Sequence, residues 1–230
     1  MRSLPSIAAL FLLSCAVDEP VVHDQEDPVD ETVGRDEARA TQPDGWMAEV
    51  NAHIKDASHQ FVAAGGGFVA EVPERRLAGR FDGAGAHIAT ADDADAIRIR
   101  SMSFGRRDNG EPFEASPEPG ECQEGVADPE GKCIQRLQYA GPGMTEWWVS
   151  KPDGFEQGWQ IAERPDGVGP VRIDMQVDGA DATVTEMGVW LQGDDGSLLI
   201  VSGLAAWDAN GDDVDARFER TPEGFRRARA

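Results

Sequence analysis

Four histidines, three cysteines and one tyrosine in 230 residues leave this chain poor in the side chains from which most metal centres and proton-transfer sites are built. Basic residues are scarce as well, 21 against 43 acidic ones, for a formal charge of -22. A chain this acidic is not a binder of nucleic-acid phosphates, because affinity there comes from Lys and Arg neutralising the backbone. It is equally unsuited to electrostatic adhesion on anionic lipid. No apolar run is longer than about ten residues, whereas a helix needs roughly 20 to cross a ~30 Å hydrocarbon core. Enzyme signatures are missing too: there is no G-x-S-x-G elbow, no H-E-x-x-H, no Walker-type loop and no G-x-G-x-x-G. Gly65-Gly66-Gly67 precedes a strand pattern instead of opening a helix, so it lacks the dipole that holds a phosphate. No repeat of about 30 residues recurs, which excludes a solenoid or propeller within this chain.

What is present argues for a folded body: 40% of the residues are hydrophobic, with six Trp and nine Phe to bury. The N-terminus has the form of an export signal, with Arg2 as a one-charge n-region and Leu4 to Leu13 as a short apolar h-region. Leu12-Leu13-Ser14-Cys15 follows, and it resembles a bacterial lipobox, an apolar residue three before a Cys and a small residue directly before it. That resemblance implies lipidation of Cys15, cleavage before it, and anchoring through two or three acyl chains, which hold where one chain binds only marginally. Ala16 in place of Asp after the Cys implies, by the same resemblance, sorting to the bacterial outer membrane or cell surface.

Residues 15–43 read as an acidic disordered tether: Ala16 to Asp44 hold ten acids, two Arg and no aromatic. Such a segment cannot bury enough apolar surface to offset its ordering entropy, and its like charges extend it. A single domain is expected over 44–225, with 226–230 as a frayed tail. It should open on one short amphipathic α-helix, because Trp46, Met47, Val50, Ile54 and Ala57 recur at helical spacing. From His59 the period changes to two. Phe68, Ala70 and Val72 alternate with polar residues, as do Ile97 and Ile99, Leu137 and Tyr139, and Val171, Ile173, Met175 and Val177. Turn dipeptides separate these runs, at Gly83-Ala-Gly85, Asp108-Asn-Gly110, Pro152-Asp-Gly154, Pro165-Asp-Gly167, Asp195-Gly196 and Asn210-Gly211. The pattern predicts a mainly β fold, an antiparallel β-sandwich or barrel-like body with that one N-terminal helix.

Outside the cytoplasm, Cys122 and Cys133 are expected to form a disulfide that staples a Gly/Pro/Glu-rich loop. Closing so short a loop contributes about 3 kcal/mol or less. No catalytic residue and no cofactor are assigned. Asp208, Asn210 and Asp212 look like the start of a Ca2+ loop, but Gly211 stands fourth where such loops have their Gly sixth, so a hairpin turn is the preferred reading over weak Ca2+ binding. Trp147 and Trp148 are adjacent in a strand and must face opposite ways. One of them is either a sugar-stacking ring or covered by Trp46 and the helix.

Longer strings carry a family resemblance. "TEWWVS" with "GFEQGWQIAERPDG" (Thr145 to Gly167), "DGSLLIVS" with "GLAAWDANGDDVDARF" (ending at Phe218), and "GGGFVAEVPERRLAGRFDGAGAHI" resemble the β-rich N-terminal region of large secreted proteins that carry FG-GAP (integrin-α-like) repeats. The likeness runs from about Trp46 to Phe225 and implies a β region with no family catalytic residues to carry over. The Ca2+ motifs of the repeats themselves are not in this chain. The expectation is a non-enzymatic, lipid-anchored envelope or surface protein with a binding or structural role. It would meet the membrane through its lipid and a polysaccharide or envelope protein through its body. The alternatives are a carbohydrate-binding module and a cell-surface hydrolase.

Overall fold

A computed structural model describes residues 7–14, 59–90, 95–106, 109–120 and 135–229. In chain order the strands are β1 (Ile7–Ser14), β2 (Val62–Ala64), β3 (Gly67–Val72), β4 (Leu77–Asp82), β5 (Gly85–Thr90), β6 (Ile97–Arg106), β7 (Asn109–Pro112), β8 (Pro117–Pro119) and β9 (Arg136–Gly141). They continue as β10 (Met144–Lys151), β11 (Gly154–Ile161), β12 (Val171–Asp178), β13 (Ala180–Thr185), β14 (Gly188–Gly193), β15 (Leu198–Trp207), β16 (Ala216–Thr221) and β17 (Gly224–Arg229). One 3-10 turn at Pro73–Arg75 is the only helical element among the described residues. The expected helix around Trp46 to Ala57 lies outside them, as do Cys15, Cys122 and Cys133.

Two sheets form, every pairing antiparallel. One runs β13-β14-β15-β1-β11-β10-β9-β8, the other β16-β17-β12-β6-β5-β4-β3-β2 with β7 added against β6. Five of the six turn signals named above fall between strands, whereas Asn109 and Gly110 belong to β7 and Asp108 lies outside the described residues. Lys151 pairs with Gly154 across Pro152-Asp153, and Asp82 pairs with Gly85 across Gly83-Ala84. Ala64 pairs with Gly67 across Gly65 and Gly66, whose φ values of 58° and 83° suit the primed turn that matches strand twist.

The alternation decides which face is dry. In β12, Val171, Ile173 and Met175 are buried while Arg172, Asp174 and Gln176 reach the outer face. Inward residues of both sheets meet in one core. Phe81 of β4 packs edge-on against Phe61, Trp148 of β10 and Phe155 of β11, with ring centroids 5.1, 5.4 and 5.5 Å away. Gly79 leaves room for this stack, since a Cβ there would stand 2.7 Å from both the Phe81 and Phe155 rings. The outer face of the second sheet is laced by ion pairs, Arg98 with Asp178 at 2.6 Å and Arg226 with Asp174 at 2.8 Å.

Two segments differ from their sequence expectations. Arg226 to Arg229 do not fray but continue β17, which pairs with both β12 and β16. Phe225 is buried and Arg226 meets a carboxylate of β12, so the tail's missing apolar alternation is offset by a charged neighbour. The apolar h-region is also a strand here. β1 sits in mid-sheet between β11 and β15, antiparallel to both, with a bulge between Leu10 and Leu12 where Gly203 of β15 takes φ 72°.

Candidate functional site

The sheet pairing builds a buried polar cluster from residues far apart in sequence. Glu146 lies on β10 at the same parity as Met144 and Trp148, so its side chain points into the sandwich. Its Oε1 accepts the indole N–H of Trp148 at 2.7 Å and the amide of Gln157 at 2.8 Å. Ser101 on β6, in the opposite sheet, also hydrogen-bonds the carboxyl, and its Oγ accepts the indole N–H of Trp159 at 2.9 Å. Burial pushes the Glu146 carboxyl above the ordinary carboxylate range, and the bonds from Ser101, Gln157 and Trp148 oppose that shift without cancelling it.

Tyr139 sits beside this cluster. Its Oη donates to the Gly85 carbonyl at 3.3 Å, a second link between the sheets, and burial raises its pKa, with the Glu146 and Asp82 charges adding to the shift. A cavity of about 10 Å³ lies between Tyr139, Ser101, Glu146 and Phe113. That volume is about one water, so the space admits no substrate.

A Ser-His-acid series also occurs. His59 Nδ1 is 3.4 Å from Ser150 Oγ, and His59 Nε2 is 3.4 Å from Glu74. Both Ser150 and His59 are buried, at 5% exposure each, and the Ser150 hydroxyl also reaches the Glu71 carbonyl at 3.5 Å. The arrangement resembles a triad in residue order alone, because a nucleophile must be reachable by its substrate. The more accessible histidine, His87, stands 3.3 Å from Asp82. Burial tends to raise the Asp82 pKa, but the Ala84 amide, Arg80 and His87 together hold it below the usual value.

The other sequence candidates have definite places. Trp148 is fully buried in the core, and Trp147, on the outer side, is 8% exposed with the Arg136 guanidinium 4.7 Å above its ring. Neither offers an open face. Asp208 Oδ1 accepts the backbone N–H groups of Asn210 and Asp212 at 2.8 and 3.1 Å, closing a turn after β15. Among the described residues, no group of three or more His, Cys, Asp or Glu is placed to hold a metal ion.

The strings that carry the resemblance acquire structural roles. In Gly154-Phe-Glu-Gln-Gly158, Phe155 enters the aromatic stack, Gln157 binds Glu146, and Glu156 is buried against the Lys151 ammonium. In Gly203-Leu-Ala-Ala-Trp-Asp208, Ala206 is buried and Asp208 caps the turn. Sequence reasoning missed Glu146, although its parity with Trp148 could have found it. Trp190 was missed as well; it is 39% exposed on the outer face of β14, beside Gln192 and opposite Thr183. No family model, curated protein or solved structure matches the chain.

Proposed function

We infer that this is an exported, lipid-anchored β-sandwich whose role is binding or structural, not catalytic. The observation that supports it most is how the chemically capable side chains are used. Glu146, Ser101, Gln157, Trp148 and Trp159 join the two sheets, and the Ser150 hydroxyl lies buried against His59, so these groups serve as internal cross-links. The anchor rests on Cys15 and its lipobox-like setting, with the acidic stretch 16–44 as spacer. Labelled palmitate supplied to expressing cells tests it: the chain should take up label, and Cys15→Ser should abolish it. Label that survives the substitution contradicts the anchor.

A second reading, carbohydrate recognition, gains from Trp190. Its exposed ring is bordered by the exposed Gln192, Asp181 and Thr183, an apolar face beside amide, carboxylate and hydroxyl groups. This moves the aromatic candidate from Trp147 and Trp148 to the β13–β14 hairpin. A tryptophan fluorescence titration with soluble polysaccharides should respond in the native chain and not in Trp190→Ala; no response from either removes this reading.

A further inference from the structure

One strand of the first sheet is made from the segment that the lipobox reading removes. β1 pairs with β11 from Ile7↔Ile161 to Leu12↔Glu156 and with β15 from Ala8↔Trp207 to Ser14↔Ile200. Because it is antiparallel to both, β11 and β15 run parallel to each other with one strand's width between them. Cleavage before Cys15 frees β1 and leaves two facing edges, about 9.6 Å apart at ~4.8 Å per strand spacing, with unpaired N–H and C=O groups. Beside them lie inward residues of the core, including Trp159, Ile161, Val201 and Ala206.

The N-terminal sequence after Cys15 offers no comparable uncharged apolar run before the described body begins. Residues 16–44 carry ten acids, and the apolar residues from Trp46 to Ala57 have helical spacing. The occupant is therefore sought outside the chain, and β1 itself displays its chemistry: IAALFLLS, eight uncharged residues, antiparallel to both walls.

We propose that the gap between β11 and β15 is a strand-acceptor slot of the mature protein, filled by an extended, uncharged, apolar strand of a partner protein. Main-chain ladders on both sides supply the affinity, as in other strand additions, and the unbroken apolar run supplies the selectivity. Until cleavage, Ile7–Ser14 holds the slot and keeps it from pairing with other chains. The proposal rests on the lipoprotein reading for its cleavage step, but the slot can be tested without it.

The test uses the full chain as Cys15→Ser, with a specific protease site inserted between Ser14 and residue 15, folded intact and then cut. The probe is a fluorescent peptide of the Ile7–Ser14 sequence flanked by lysines. Its co-migration with the protein on size exclusion is read before and after cutting. The cut protein should exchange its released segment for the probe at one per chain, the uncut protein should take up at least tenfold less, and a probe with Leu10→Pro should bind at least tenfold more weakly. Equal uptake by cut and uncut protein, equal uptake of both probes, or no uptake by cut protein overturns the slot. Palmitate labelling of Cys15 is scored separately, so loss of the anchor and loss of the slot are distinguishable.

Discussion

Glu146 is the residue on which the interior depends most, because it is a buried carboxyl that accepts from both Trp148 and Gln157. Its folded pKa lies above the unfolded value of about 4.5. Its contribution to stability is therefore fully present below that value and is lost as pH rises through the folded pKa. Glu146→Gln keeps the acceptor for Trp148 and Gln157 and can donate to Ser101, yet carries no titration. Urea unfolding of both proteins from pH 4.5 to 8 should show the variant gaining on the native chain as pH rises, by about 1.4 kcal/mol for each unit of pKa elevation. Glu146→Leu, in contrast, strands two buried donors and should cost about 2–4 kcal/mol throughout. Gly79→Ala should lower stability at the aromatic stack by about 1–3 kcal/mol, read as a fall in urea midpoint, because its Cβ would press on two rings that are themselves packed.

At the scale of elements, strands were legible wherever one face is dry and the other wet. Val171 to Val177 and Leu137 to Tyr139 show this, and their bounding turns were legible through Gly and Asp. Elements whose partners lie far along the chain were not. His59 and Ser150 are 91 residues apart, and nothing local to either announces the other. The Arg-rich end of the chain concealed β17 because its charge is matched by Asp174 on a neighbouring strand, a pairing that only the sheet order creates. The h-region reads as an export signal alone, although a short apolar run satisfies a buried helix segment or a doubly covered strand equally well. Leu10, which faces Gly158 and Ala205 across its two ladders, discriminates among these. In the uncleaved chain bearing Cys15→Ser, Leu10→Pro should lower the urea midpoint by the equivalent of about 1–3 kcal/mol, since proline cannot donate to a central ladder. An unchanged midpoint would mean that β1 adds nothing to the body.

For the whole molecule, the charge of -22 is divided between an acidic N-terminal stretch and a body whose acids pair with arginines on the second sheet or close turns. Surface pairs of this kind contribute at most about 1 kcal/mol each, so their service is to solubility and to keeping sheet faces apart more than to stability. The sandwich is held from inside, by the Phe81 stack and by the links from Glu146, Trp159 and Tyr139 to the opposite sheet. A body built this way presents outer faces and strand edges to its surroundings. The lipid anchor proposed at Cys15 would hold that surface at a membrane. Mass spectrometry of the N-terminal peptide, from protein extracted from the membranes of a Gram-negative expression host, tests that most directly. The account predicts a chain beginning at Cys15 with diacylglyceryl and acyl mass added; a chain beginning at Met1, or at an unmodified Cys15, would contradict it.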